Sequence, residues 1–289
     1  MQALLPPATI AQPGRSLSLS AESVLLVSPE GRIIYAKDAD ETHAPASLVK
    51  LMTLYLALED VERGYAHWED TVTISRRATT TPRYRMGLRA GERVAFRVLL
   101  EGVGIASAND AATAVAEYLG GGDEQAFVDR MNAKAWEIGL LQTSFANPHG
   151  LPDPLQRSTA WDLAILTARL LRDYPASRTI LGGQTFIYRG RVYSRRIPLF
   201  NDPGGVEALK TGYTREAGYN LSVAVWRAGQ QFLMVVLGAE TRGLSFLDGK
   251  KLLRYAFVQA GLEEAGEPPR VTARKPARVR QASRTRRAR

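Results

Sequence analysis

Strand-like patterns occur towards both ends of the chain and enclose a long helical middle, which is the strongest constraint on its fold. Near the start, two apolar runs separated by the turn Ser28-Pro29-Glu30-Gly31 predict a β-hairpin. After Gly182 the pattern is again typical of strands, with a second hairpin predicted around Ala228-Gly229. Helical patterns dominate from about residue 66 to residue 175. We therefore predict an α/β (α+β) protein with a mostly antiparallel central sheet assembled from both chain ends, flanked by helices, and an inserted all-helical subdomain.

One predicted helix carries a lysine where burial would disfavour a charge. Apolar residues recur at helical spacing from Leu48 to Leu58, yet Lys50 lies in the first turn, three residues after Ser47. That spacing places both side chains on one helix face. A serine hydroxyl needs a base to become a good nucleophile, and a lysine that burial keeps neutral is such a base. Taken alone, the pair also fits a helix-capping serine and a lysine that reaches solvent.

Two further motifs favour the catalytic interpretation. Ser107-Ala108-Asn109 lies in a short break between two apolar helices, where a hydroxyl and an amide can face a cleft or cap the following helix. Lys210-Thr211-Gly212 lies inside a strand-like run. Lysine and threonine can hold a carboxylate through charge and hydroxyl, and glycine allows close approach to the strand.

In this order, the three motifs resemble those of the serine penicillin-recognising enzymes. The surrounding segments are similar to those of the low-molecular-mass penicillin-binding proteins, the serine-type D-alanyl-D-alanine carboxypeptidases of peptidase family S11: PASLVKLMTLYLALE, GIASANDAATAVAEYL, FANPHGLPDPLQRSTAWDLA and LKTGYTREAGYNLSVAV. The resemblance extends from about Ser20 to Leu262. It implies the transpeptidase fold shared by β-lactamases and DD-peptidases, as a penicillin-binding domain over residues 20–264 with its helical lobe at about 66–175.

The resemblance implies three catalytic residues. Ser47 attacks the carbonyl between the terminal D-alanines of a peptidoglycan stem peptide, and Lys50 accepts its proton. Ser107 relays a proton to the departing D-alanine. A cationic Lys210 is expected to keep Lys50 neutral.

It also implies a set of substrate-binding residues. Asn109 binds the acyl-side amide, Lys210 and Thr211 bind the terminal carboxylate, and Gly212 leaves room beside the strand. The backbone N–H groups of Ser47 and Tyr213 form the oxyanion hole. β-Lactams are expected to acylate Ser47 as covalent inhibitors. His149 belongs to a similar segment, and we expect it to shape a loop.

Other functions share parts of this pattern. A D,D-endopeptidase of peptidoglycan cross-links uses the same motifs. A class A β-lactamase is disfavoured because the segment from Leu140 to Ile187 contains no glutamate. A non-catalytic penicillin-binding sensor is disfavoured by the intact Ser47, Lys50 and Lys210, and an esterase by the sequence around Ser107.

The net charge of +9 is concentrated at the end of the chain, because residues 265–289 hold eight arginines and one lysine against one glutamate. This segment is predicted to be disordered, with loose affinity for an anionic surface such as lipid or cell-wall polymer and no specific nucleic-acid binding.

Residues 1–19 are expected to be an N-terminal extension or a signal-peptide remnant. The three scattered histidines and the absence of cysteine predict no metal or other cofactor. The expected location is periplasmic or extracytoplasmic.

Overall fold

The computed structural model describes residues 17–82, 84–201 and 205–263. Five antiparallel strands form the central sheet in the order β2-β1-β9-β8-β7. Their bounds are β1 Ser23–Val27, β2 Ile33–Lys37, β7 Val206–Thr214, β8 Gly218–Arg227 and β9 Gln230–Ala239. Because β1 pairs with β9, the prediction of one sheet assembled from both chain ends is confirmed.

Helices cover both faces of this sheet. The helices are α1 Lys50–Glu62, α2 Arg76–Thr80, α3 Phe96–Gly104, α4 Asn109–Leu119, α5 Glu124–Glu137, α6 Ala160–Asp173, α7 Ala176–Gly182 and α8 Arg242–Gln259. Along β1, Val24 and Leu26 pack on the face covered by α8, whereas Leu25 and Val27 pack on the face covered by the other helices. All five residues of β1 are buried, which explains why this strand is an almost uninterrupted apolar run.

The helical lobe contains one feature that the sequence pattern did not predict. The short strands β3 Thr71–Thr73 and β4 Arg93–Ala95 pair antiparallel before α3 begins at Phe96. The sequence pattern predicted a helix from Glu92 onwards. In the structure, residues 93–95 form β4 instead, and the helix begins only at Phe96. A three-residue strand with alternating burial carries too little periodicity to be recognised.

The strand-like segment after Gly182 forms a separate hairpin beside the central sheet. Its strands are β5 Thr185–Tyr188 and β6 Arg191–Ser194. Arg189 and Gly190 connect them with φ values of 50° and 75°, both in the left-handed region used by tight hairpin turns. The predicted strands are therefore confirmed, but the pattern did not show that they pair only with each other and stay outside the central sheet.

The folded domain begins before Ser20, because Leu17 and Leu19 pack against the apolar cluster between the central sheet and α8. Asp248 of α8 fixes the entering chain by accepting hydrogen bonds at 2.8 Å from the backbone N of Ser20 and at 3.0 Å from that of Ala21. The predictions for residues 1–16 and 265–289 lie outside the described residues. Within the described ranges, no helix has both the length and the apolar character needed to span a membrane.

Candidate active site

The hydroxyl of Ser47 lies at the junction of a turn and a buried helix. A 3-10 turn spans Ala46–Val49 and continues directly into α1. Pro45 and Val49 occupy the N-cap positions of the turn and of α1, so Ser47 caps neither. Ala46 has a φ of 49°, an unusual backbone conformation for alanine. Such strain is kept only where the surrounding structure imposes it.

Three contacts impose this conformation on the turn. Asn220 of β8 donates a hydrogen bond at 3.0 Å to the carbonyl of Ala44. A Cβ atom built on Gly150 would lie 2.0 Å from the carbonyl oxygen of Ala46, and one built on Gly212 would lie 3.0 Å from the backbone N of Ser47. Gly150 therefore approaches the turn more closely than any side chain would permit, and Gly212 approaches it more closely than most side chains would.

Lys50 is fully buried, which excludes the interpretation that its side chain reaches solvent. Its Nζ lies 3.1 Å from Ser47 Oγ and 2.7 Å from Asn109 Oδ1, and it also contacts the carbonyl oxygen of His149. Burial lowers the pKa of Lys50 to about 7, against an opposing effect of the Asp110 carboxylate. At neutral pH a substantial fraction of this amine is therefore uncharged and can accept the Ser47 proton.

Ser107 and Lys210 meet across the cleft. Ser107 lies in the break between α3 and α4 with a φ of 53°, and the N-cap of α4 is Ala108. Lys210 on β7 is 2% exposed, and its Nζ donates to Ser107 Oγ at 2.8 Å and to the carbonyl of Thr211 at 2.9 Å. The predicted juxtaposition of the three motifs is thus present in the structure.

The electrostatic relation between the two lysines differs from the predicted one in one respect. Burial lowers the pKa of Lys50, as expected, whereas the mutual effect of the two amines lowers the pKa of Lys210 and not that of Lys50. The pKa of Lys210 is itself lowered well below its ordinary value by burial, by Lys50 and by Arg195. The two amines therefore share one desolvated cleft in which protonation of one opposes protonation of the other.

The predicted substrate-binding residues surround the same cleft. Asn109 uses Oδ1 for Lys50 and donates from Nδ2 to the carbonyl of Pro82 at 3.0 Å, so its contact with a substrate amide stays a prediction. Thr211, Gly212 and Tyr213 line the cleft along β7, an edge strand of the sheet. The Tyr213 ring stacks on Tyr219 with centroids 4.3 Å apart and remains 47% exposed.

The sequence did not reveal the contribution of the His149 backbone. The imidazole has the expected loop-shaping role, since Nδ1 accepts from the backbone N of Leu151 at 3.2 Å. Burial, Lys50 and Arg77 lower its pKa to about 3, so the ring is neutral. The backbone carbonyl that contacts Lys50 carries no side-chain signature, and only the NPHGL context of the segment pointed to this loop.

Two charged residues outside the motifs also support the site. Asp110 is fully buried and accepts hydrogen bonds from the backbone N of Met86 at 2.9 Å, of Gly87 at 2.9 Å and of Leu88 at 3.1 Å. Arg195 donates to the carbonyls of Leu181 at 2.9 Å, of Gly183 at 3.1 Å and of Leu209. Asp110 thus holds the loop between α2 and β4, and Arg195 joins β7 to the end of α7.

The cleft has a volume of about 460 Å³ and lies between the helical lobe and β7. Ser47, Ser107 and Lys210 all face it. Within the described residues, no group of three or more histidine, aspartate, glutamate or cysteine side chains could hold a metal ion. The arrangement can perform nucleophilic acyl transfer with a lysine base.

A model of the D-alanyl-D-alanine carboxypeptidases, peptidase family S11, matches residues 8–241 of this chain. The chain belongs to that family. Among sequence relatives of this family member, D-alanyl-D-alanine carboxypeptidase DacF of Bacillus subtilis is 35% identical over 251 residues, which are 84% of this chain and 64% of the relative. DacC of Escherichia coli is 35% identical over 241 residues, covering 81% of this chain and 60% of the relative. This family member thus spans about three-fifths of the length of both relatives.

Solved structures also resemble this D-alanyl-D-alanine carboxypeptidase family member. Penicillin-binding protein 5 of Haemophilus influenzae superposes with a TM-score of 0.82 at 32% identity, over 85% of this chain and 73% of that chain. Penicillin-binding protein D2 of Listeria monocytogenes, in its cefotaxime-bound form, superposes with a TM-score of 0.76 at 30% identity, over 84% of this chain and 100% of that chain. The predicted family and the predicted transpeptidase fold are confirmed.

Proposed function

We propose that this chain is a serine-type D-alanyl-D-alanine carboxypeptidase that removes the terminal D-alanine from peptidoglycan stem peptides. The observation that carries the proposal is the 3.1 Å contact between Nζ of the fully buried Lys50 and Ser47 Oγ. A desolvated amine with a pKa of about 7 beside a hydroxyl supplies the base that a serine nucleophile requires.

Acylation begins when Ser47 Oγ bonds to the carbonyl carbon between the two D-alanines and its proton passes to Lys50. The backbone N–H groups of Ser47 and Tyr213 stabilise the oxyanion, and such donors are worth about 3 kcal/mol each. The C–N bond then breaks, and the departing amine takes a proton through Ser107. Lys210 and Thr211 hold the terminal carboxylate, and Asn109 orients the acyl part. Water hydrolyses the ester and restores Ser47.

The same geometry supports covalent inhibition by β-lactams. Such a ring presents a strained amide where the substrate presents its D-Ala-D-Ala bond, so Ser47 opens the ring and keeps the acyl group. The relative from Listeria monocytogenes in a cefotaxime-bound form supports this interpretation. Because peptidoglycan lies outside the cytoplasm, we expect the enzyme to act at the cell envelope.

The arginine-rich segment of residues 265–289 is assigned a separate role under this proposal. Its net charge of +8 favours contact with an anionic surface, either lipid or cell-wall polymer. Its sequence offers no aromatic residues for stacking on nucleic-acid bases.

The proposal is tested by incubating the protein with a labelled penicillin and locating the adduct by peptide mass spectrometry. We expect one adduct on Ser47 and none in Ser47→Ala. A stem pentapeptide ending in D-Ala-D-Ala should then release free D-alanine. An adduct on another residue, or acylation without release of D-alanine, contradicts the proposed carboxypeptidase.

A further inference from the structure

Asn220 on β8 is buried, and both ends of its side-chain amide are bound to the protein. It is 1% exposed. Its Nδ2 donates at 3.0 Å to the carbonyl of Ala44, and its Oδ1 accepts at 2.9 Å from the backbone N of Gly238 on β9. Because the amide nitrogen can only donate and the oxygen can only accept, these two partners fix the orientation of the amide. Asn220 therefore links the central sheet to the chain three residues before Ser47.

The contact with Gly238 depends on an irregularity in the pairing of β8 with β9. The register shifts between Tyr219 and Leu221, so that Asn220 lies opposite two residues of β9. Such a β-bulge leaves one residue outside the ladder. Here Gly238 adopts a φ of 71°, and its N–H is bound by the Asn220 side chain. Bulges beside active sites re-aim side chains, and this one leaves the Asn220 amide directed at Ala44.

The same bulge contacts the segment before Ser47 by a second route. A Cβ built on Gly238 would lie 2.7 Å from Oε2 of Glu22, so the Glu22 side chain lies directly over this glycine. Oε2 of Glu22 in turn lies 3.4 Å from Nδ1 of His43, the residue before Ala44. These contacts form a closed ring that joins the residue before β1, the bulge of β9 and the segment leading to the nucleophile.

A displacement at Ala44 is transmitted to Ser47, because the chain between them has little freedom. The ring of Pro45 restricts its φ, and its carbonyl accepts from the backbone N of Leu48 at 3.1 Å. Ala46 is held at a φ of 49°, a conformation that relaxes unless the surrounding structure imposes it. Ala44 is thus the fixed point from which the Oγ and the backbone N–H of Ser47 are directed to the cleft.

We propose that Asn220 is a positioning residue that holds Ser47 in the geometry required for acylation. The inference rests on the proposed carboxypeptidase, and it assigns Asn220 no contact with the substrate. The amide fixes Ala44, and the strained turn then presents the nucleophile and its oxyanion-binding N–H together. Without this anchor the turn relaxes and formation of the acyl bond slows, whereas the substrate-binding residues of β7 keep their positions.

Asn220→Leu tests the proposal, because leucine has nearly the shape of asparagine but neither a donor nor an acceptor. Stopped-flow measurements with a penicillin give the acylation rate constant k2 and the dissociation constant K of the preceding non-covalent complex. We expect k2 to fall about 100-fold, the effect of a displacement of about 1 Å, and K to stay within about 2-fold. Both constants are properties of folded molecules, so a lower stability does not change them. Asn220→Ser, whose smaller side chain leaves room for water beside Ala44 and Gly238, should show the same separation of k2 from K.

Ser222→Ala is the matched control on the same strand. Ser222 is 1% exposed, and its hydroxyl bonds at 2.8 Å to that of Thr167, which joins β8 to α6 and not to the turn that carries Ser47. This variant should unfold at a lower urea concentration but keep k2 within about 2-fold of the wild-type value.

An unchanged k2 in Asn220→Leu or Asn220→Ser, an equal loss in Ser222→Ala, or a loss confined to K overturns the positioning role. If penicillin acylates wild-type Ser47 in that case, the carboxypeptidase proposal stands without it. If penicillin leaves Ser47 of the wild-type protein unmodified, both proposals fail.

Discussion

Lys210 on the edge strand of the sheet donates a 2.8 Å hydrogen bond to Ser107 in the helical lobe. This bond joins the two halves of the molecule across the cleft, at a serine whose φ is 53°. The left-handed backbone turns Ser107 out of the helical path, so its hydroxyl faces the cleft. The proposed proton relay thus uses a contact that also bridges the two lobes.

The rate at which penicillin acylates Ser47 should rise with pH around a midpoint near 7. Below that pH Lys50, with its pKa of about 7, is protonated and cannot accept the serine proton. Because Lys50 and Lys210 interact, the inflection reports the pair. Lys50→Met should reduce the rate by about 1,000-fold and remove the inflection. Stopped-flow acylation between pH 5.5 and 9 measures both effects. A flat wild-type profile, or an unchanged inflection in the variant, would exclude Lys50 as the base.

Asp110→Asn should shift the midpoint of the acylation pH profile to lower pH. The Asp110 carboxylate raises the pKa of Lys50, so neutralising it lets burial lower this pKa further. The variant should also lose about 2 kcal/mol of unfolding free energy, because three backbone N–H groups of residues 86–88 lose a charged acceptor. Asp129→Asn, an exposed change on α5, is the control and should move neither quantity. A midpoint that moves to higher pH contradicts the assigned effect.

Gly150→Ala and Gly139→Ala separate backbone strain from the close approach at the nucleophile. Their φ values are nearly equal, at 86° and 84°. A Cβ at position 139 meets nothing within 4 Å, whereas one at position 150 lies 2.0 Å from the Ala46 carbonyl oxygen. Both variants should lose about 1 kcal/mol to the left-handed backbone. Only Gly150→Ala should also displace Ser47 and slow acylation by about 100-fold. Equal acylation rates in the two variants would show that the contact does not position the nucleophile.

Asp248→Asn should destabilise the protein without changing acylation per folded molecule. Asp248 is 1% exposed and accepts from the backbone and hydroxyl of Ser20, both at 2.8 Å, and from the backbone of Ala21 at 3.0 Å. Losing the charge weakens all three hydrogen bonds, and we expect a loss of about 2 kcal/mol by urea denaturation. Asp40→Asn, an exposed change, should cost far less. Similar losses in both variants would mean that this anchor contributes little.

The sequence predicted those parts of the site that depend on side-chain chemistry. Ser47, Lys50, Ser107 and Lys210 could be proposed from the sequence because the roles assigned to them, a nucleophile, a base, a proton relay and a carboxylate-binding group, each require a particular residue type. The carbonyl of His149 was not recognisable, because every residue has one. The relation between the two amines also needed the structure, since burial depends on residues from α1, α4 and β7 together.

In the fold, too, only the elements with a clear side-chain pattern could be predicted from the sequence. Strands inside the sheet were predictable because both of their faces are apolar, as in the fully buried β1. The hairpin of β5 and β6 was recognisable as strands, but its position beside the sheet depends on tertiary contacts such as that of the Tyr193 hydroxyl with the Met86 carbonyl. The β3–β4 ladder was too short for its pattern to show.

The position of β1 between β2 and β9 constrains how the molecule can be made. As the ribosome produces the chain from its N-terminus, β1 emerges early but lacks one neighbour until β9 is complete. The edge strand that carries Lys210 is also synthesised late. A nascent chain therefore contains Ser47 and Lys50 before it has the strands that complete the cleft, so the proposed activation of Ser47 has to wait until β7 to β9 have been added.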